Sequence, residues 1–119
     1  MNFRRGDIVL LDYPFADSSG SKVRPALVVQ GDGRNAILTQ TIVAMISKNL
    51  QRVGIDPTQL LIDISTPDGR GSGLRVNSAV VCGNLFTIHE RHILKRIGHL
   101  SALLMQQAND RMKAALDLP

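Results

Sequence analysis

A chain of 119 residues with 44% hydrophobic and 20% charged side chains has the size and composition of one folded domain, which excludes an intrinsically disordered chain. The single cysteine, Cys82, excludes an internal disulfide and a cysteine-based zinc site, and points to a reducing, cytoplasmic compartment. A formal net charge of +4 and a pI near 9.8 favour a polyanionic partner, while only 3% aromatic residues argue against a base-stacking platform, so any RNA would be held mainly through its phosphates.

No repeat and no low-complexity linker divides the chain, so one domain is expected over residues 1–119. The first apolar run, Ile8 to Leu11, is broken by Asp12 and is too short for a signal core or a membrane span. Asp7 to Tyr13 reads as a strand ended by Pro14, followed by a polar Ser/Gly loop from Phe15 to Lys22. Ala26 to Gln30 is a second strand, and Gly31-Asp32-Gly33-Arg34-Asn35 reads as a hairpin-type turn. Ala36 to Ile46 is a longer third strand, with Thr39, Thr41 and Val43 on one face and Leu38, Ile42 and Ala44 on the other. Ser47 to Pro57 is loop, Leu60 to Ile64 a short strand, and Ser65 to Gly73 a turn or flexible loop. Ser78 to Cys82, Leu85 to His89 and Ile93 to Gly98 read as three further strands. Ser101 is a candidate N-cap for a terminal helix in which Leu104, Ala108 and Met112 recur at helical spacing. Many short strands and one terminal helix indicate a mainly β chain, a small barrel or strongly bent sheet carrying a C-terminal α-helix.

The pair Arg24-Pro25 stands at the mouth of the second strand. Pro25 fixes its own backbone, biases Arg24 toward extended geometry and lacks an N–H, which suits a strand's first position. A guanidinium held there offers a planar fork of donors that matches a phosphate. The ordinary alternative is a surface arginine paired with Asp12 or Asp17, or stacked on Tyr13. Other candidates are weaker. His89 and His92 have H-x-x-H spacing, but residues three apart on a strand point to opposite faces, so a surface turn is the better reading and no metal site is expected. His99 reads as structural. Gly31-Asp32-Gly33 and Gly69 to Gly73 lack the strand-to-helix setting of phosphate-binding loops and read as turns.

In order along nearly the whole chain come Arg5-Gly6-Asp7-Ile8-Val9, Arg24-Pro25-Ala26-Leu27-Val28-Val29, and Val43-Ala44-Met45-Ile46-Ser47. Gly73-Leu74-Arg75 ahead of Ser78-Ala79-Val80-Val81, Asn84-Leu85-Phe86-Thr87-Ile88, and Ile97-Gly98-His99-Leu100-Ser101 complete the set. This set resembles the MazF/PemK family of type II toxin–antitoxin endoribonucleases. The resemblance implies an SH3-like barrel of the PemK/CcdB type, usually a homodimer, that cuts single-stranded RNA or mRNA without a metal or other cofactor and is checked by a cognate antitoxin protein. It places the family's arginine on Arg24 and the hydroxyl residue that ends the third strand, commonly threonine, on Ser47. Serine keeps the hydroxyl and loses the methyl that stiffens the rotamer, so looser positioning is expected.

Around that pair, Asp17, Ser19, Ser21, Lys22, Lys48 and Arg75 are the expected RNA contacts, with Arg70 a weaker one. Two departures leave the general acid and base unassigned. Some family members carry a histidine in the loop before the Arg-Pro pair, where this chain offers Asp17, Ser18, Ser19, Ser21 and Lys22. Others carry an aspartate just before the Asn84-Leu85-Phe86 match, where this chain has Gly83. Two other functions stay open on the sequence: a gyrase-poisoning toxin of the CcdB kind, and a catalytically idle domain that binds RNA or a protein partner.

Overall fold

The computed structural model describes residues 1–13 and 22–119. The chain runs β1 (Asp7–Tyr13), β2 (Lys22–Val28), α1 (Asp32–Asn35), β3 (Gln40–Ser47), β4 (Gln59–Ile62), α2 (Pro67–Arg70), β5 (Ser78–His89), β6 (Ile93–His99) and α3 (Ala102–Leu116). The strands form a six-stranded antiparallel sheet in the order β4-β5-β3-β2-β1-β6.

The strands are apolar on both sides because the bent sheet is buried on both faces. Ile8, Leu27, Ala44, Ile46, Ile62 and Val80 join Leu104 and Ala108 of α3 in one core. Their neighbours in the chain, Val9, Ala26, Val28 and Val43, join Leu11, Ile88 and Ile93 in a second. The alternation expected on the third strand is therefore present, with Val43 in one core and Ile42 and Ala44 at the other. Each fully buried Leu, Ile or Val side chain contributes roughly 1.5–3 kcal/mol.

Several expected boundaries move, each for a local reason. Gly31 to Asn35 is not a hairpin turn. Asp32–Asn35 forms a helical turn, and buried Asn35 joins Gln30 and Thr41 in a closed network. In it Thr41 Oγ1 donates to Asn35 Oδ1 at 2.8 Å and Asn35 Nδ2 donates to the Gln30 carbonyl at 2.9 Å. The third strand accordingly starts at Gln40 rather than Ala36. The two strands expected over 78–82 and 85–89 are one strand of 12 residues. Its register against β3 jumps between Met45↔Val81 and Ala44↔Leu85, so Cys82, Gly83 and Asn84 bulge from the ladder and bend the sheet.

The expected barrel is not closed by hydrogen bonds: β4 and β6 are the two edges of the sheet. The segment expected as flexible loop over 65–73 spans that gap instead. Thr66 caps α2 by accepting from the Gly69 N–H at 3.0 Å, Ser72 is fully buried, and the His99 N–H donates to the Gly71 carbonyl at 3.0 Å. Gly73 takes φ +74°, and a Cβ there would lie 2.0 Å from the Ile97 carbonyl, so only glycine lets this segment lie against β6.

The terminal helix agrees with the sequence. Ser101 Oγ accepts from the Leu104 N–H at 3.2 Å, and the stripe Leu104, Ala108 and Met112 faces the core. Arg5, first residue of the opening motif, ties this helix to β2: its Nε donates to the Val29 carbonyl at 2.9 Å and its Nη2 to Asn109 Oδ1. Among the described residues no helix is long and apolar enough to cross a membrane.

Candidate functional site

The site arises where two strands part. β2 pairs with β1 from Lys22 to Leu27 but with β3 only over Ala26↔Met45, Leu27↔Ala44 and Val28↔Val43. Continuing that register outward would set Pro25 opposite Ile46 and Arg24 opposite Ser47. The ladder stops there and the strands splay. Pro25 thus sits inside β2 rather than at its start, as the sequence suggested, at a point where β3 has already left. Its missing N–H forfeits no ladder bond toward β3.

The gap is a cleft of about 480 Å³ lined by residues of β2, β3, β6 and the Gly73–Ser78 segment. Four cations stand in it: Arg24, Lys48, Arg75 and Lys95. Its lining contains no carboxylate and no imidazole among the described residues. Leu10, Ile46, Leu74 and Ile97 supply an apolar wall, and Val23 and Val76, 58% and 46% exposed, an apolar rim. Cations beside apolar surface suit a nucleotide, which carries a charged phosphate and a flat base.

Arg24 is exposed, and its guanidinium makes no ion pair or hydrogen bond with the described residues, Asp12 included. Ser47 is half-buried, and its Oγ accepts the Asn49 N–H at 3.1 Å. That bond fixes the hydroxyl oxygen, offsets the methyl a threonine would bring, and leaves the O–H to donate outward.

The structure brings together Arg24, Ser47, Lys48 and Arg75, four of the expected residues, although they come from separate parts of the chain. Lys22 opens β2 and is exposed but does not line the cleft. Arg70 is turned away, its Nη1 donating to the Ser65 carbonyl at 3.2 Å. Asp17, Ser19 and Ser21 lie outside the described residues, as do Pro14 and the rest of the expected loop before Lys22.

Lys95 was missed by the sequence reading. It reaches the cleft through register: Leu10 pairs with Pro25 on one side and Lys95 on the other, a row across three strands. Alternation along β6 does not reveal this, because the register shifts twice, around Leu94 and Ile97.

The remaining candidates fall where they can be explained locally. His89 Nδ1 accepts the Arg91 N–H at 3.0 Å and caps the Glu90–His92 turn, and no group of three or more His, Cys, Asp or Glu among the described residues is placed to hold a metal ion. His99 bonds through Nδ1 to buried Asp7 at 2.8 Å. Two acidic side chains of the loops between β3 and β5 serve their own turns. Asp56 is held below the usual carboxylate range by the N–H and hydroxyl of Thr58, and Asp63 by the hydroxyl and N–H of Ser65.

Comparison with known proteins bears on the family and the fold. The family described as PemK-like, MazF-like toxin of type II toxin–antitoxin systems matches residues 4–116. Endoribonuclease EndoA of Bacillus subtilis is 29% identical over 119 residues, covering 99% of this chain and 97% of that protein. Endoribonuclease MazF9 of Mycobacterium tuberculosis is 31% identical over 121 residues, covering 97% of each. A mycobacterial endoribonuclease solved with its cognate antitoxin superposes with a TM-score of 0.78 at 19% identity, covering 98% of this chain and 97% of that one. The ordered motifs, the bent sheet with its terminal helix and the match over nearly the full length together make this chain a member of the PemK-like, MazF-like toxin family of type II toxin–antitoxin systems.

Proposed function

We propose that this chain is an endoribonuclease toxin that cuts single-stranded RNA in the cleft between β2 and β3, using the RNA's own 2′-hydroxyl as nucleophile. The observation that carries the reading is the meeting of Arg24 and Ser47 in one cleft with Lys48, Arg75 and Lys95 and no carboxylate in its described lining. In the step, a bond forms between the 2′ oxygen and phosphorus, and the bond from phosphorus to the 5′ oxygen breaks. The 2′-hydroxyl gives up its proton and the departing 5′ oxygen gains one, leaving a 2′,3′-cyclic phosphate and a 5′-hydroxyl.

Charge grows on the non-bridging oxygens during attack, and the Arg24 fork meets it with two parallel N–H donors. Ser47, its oxygen held by the Asn49 N–H, donates its hydroxyl hydrogen to one of those oxygens and sets the phosphate's orientation for in-line attack. Lys48, Arg75 and Lys95 hold the flanking backbone by charge. Since the nucleophile belongs to the substrate, the reaction needs no metal to generate one. The cleft's described lining holds no carboxylate or imidazole, and in this reading proton transfer is assigned to water or to Asp17, in the sequence just before β2.

The mycobacterial neighbour was solved with its cognate antitoxin. A protein antitoxin for this chain would present an acidic, partly apolar segment to the same cations and to Val23 and Val76, excluding RNA by occupancy. Assembly as a homodimer completes the proposal. The test is digestion of a long defined RNA by the purified protein in EDTA, with the fragment ends mapped. Discrete cuts bearing cyclic phosphate ends are expected. Intact RNA would refute the reading, and in that case a parallel gyrase assay separates a gyrase poison from an idle binding domain.

A further inference from the structure

A second cavity, of about 520 Å³, borders the same strand β6 and is lined by Arg4, Asp7, Arg96, Ile97, Gly98 and His99. Ile97 lines both this cavity and the cleft. The lining holds two arginines and a histidine against one carboxylate, and that carboxylate is spent inward. Asp7 is 1% exposed; its Oδ2 accepts the Arg4 N–H at 2.8 Å and its Oδ1 bonds His99 Nδ1 at 2.8 Å. Arg96 Nη1 forms a long ion pair with Oδ1 at 3.8 Å, beyond hydrogen-bond distance, and its side chain stays 58% exposed. The Arg4 guanidinium makes no ion pair or hydrogen bond with the described residues. Two exposed guanidinium groups therefore line the cavity, Arg4 without a partner among the described residues and Arg96 in a long ion pair with the one carboxylate of the described lining.

His99 is fixed in that setting. The carboxylate accepts, so Nδ1 carries the hydrogen and the ring is oriented from one edge. The ring also lies against the backbone of Gly6, where a Cβ would come within 2.9 Å of Cε1, and Gly6 itself takes φ +97°. The side chain nonetheless stays 54% exposed. The chain has only 3% aromatic residues, and this half-exposed, oriented ring shares the cavity lining with Arg4 and Arg96.

We propose that this cavity is a second nucleotide subsite: Arg4 and Arg96 take a backbone phosphate of RNA beyond the scissile linkage, and the His99 ring stacks on the adjoining base. The proposal rests on the endoribonuclease reading of the cleft. From Lys95 to His99 the strand advances roughly 13 Å, so RNA leaving the cleft past Ile97 meets this cavity next. The subsite would make the protein favour RNA longer than the cleft alone can hold.

The test measures affinity for mixed-sequence 2′-O-methyl tetranucleotide and dodecanucleotide probes, which lack the nucleophile and stay intact. Wild type should bind the longer probe more tightly. The double variant Arg4→Ala/Arg96→Ala should lose about tenfold on the longer probe and nothing on the shorter, with a salt slope reduced by about 0.7 for each phosphate released. His99→Gln, which keeps a donor for Asp7 but removes the ring, should lose several-fold on the longer probe only. If the double variant binds both probes as wild type does, the subsite is overturned and the cleft reading survives. If it loses affinity only for an acidic peptide, the surface belongs to a protein partner and the proposal is likewise overturned. If wild type binds neither probe, the reading of the cleft falls and takes the subsite with it.

Discussion

Ala26, Leu27 and Val28 are at most 1% exposed between β1 and β3, whereas Lys22, Val23 and Arg24 on the same strand keep β1 alone and stand open to solvent. In the first stretch the side chains divide between two cores and add stability. In the second they add little, yet Val23 and Arg24 border the cleft. The difference comes from the partner strand: β3 pairs for three residues and then diverges, and the backbone carries Arg24 and Ser47 apart with a space between them. On the proposed function the paired half is a rigid mount and the splayed half carries the reactive groups, so changes in the two halves should affect different measurements.

Arg24→Ala offers the largest separation. Cleavage should fall by about 10²–10³-fold or more, the loss seen when one oxyanion donor is removed, with folding stability within about 0.5 kcal/mol of wild type by chemical denaturation. Leu27→Ala should do the converse. It should cost about 2–5 kcal/mol of stability while the protein that remains folded keeps its specific activity. If it instead abolished activity at full stability, the division of β2 into mount and working end would break.

Smaller effects sharpen the working half. Ser47→Ala should slow cleavage by roughly ten- to a hundredfold, and Ser47→Thr should retain most activity, since either hydroxyl donates the same bond. Combined with Arg24→Ala, the serine change should add little, because both groups serve one phosphate. Lys95→Ala should weaken RNA binding only several-fold and lower the salt slope by about 0.7, the mark of one lost phosphate contact on single-stranded RNA.

The buried half supplies the smallest test. Cys82 is fully buried, and burial pushes its thiol up to about 11 from 9.0, with Arg111 opposing weakly. The folded state therefore holds this proton to higher pH than the unfolded chain. Stability from this group is intact below about pH 9 and declines as pH rises toward 11. Cys82→Ala should flatten that alkaline decline, and in the native protein the thiol should resist a thiol reagent until unfolding exposes it.

How much was legible beforehand follows the same division. The strands around the core were readable because apolar alternation and turn residues are local signals, and Ser101 with the stripe Leu104, Ala108 and Met112 marked the last helix correctly. The pair Arg24 and Ser47 came from motif resemblance, which carries long-range information that local patterns lack. Two things were hidden. The segment 65–73 looked flexible from its glycines, yet those glycines permit close packing on β6. Lys95 was silent because its placement depends on two bulges in an edge strand, and a bulge leaves no composition signal. The general acid and base were not legible either: the cleft's described lining contains no carboxylate or imidazole, and Asp17 lies outside the described residues.

The central claim is that one RNA phosphate is gripped by Arg24 and Ser47 together. A structure of the protein bound to a 2′-O-methyl RNA tests it most directly. A single backbone phosphate is expected within hydrogen-bond distance of both the Arg24 guanidinium and Ser47 Oγ, inside the gap between β2 and β3. RNA seated elsewhere, or the two side chains contacting different phosphates, would contradict it.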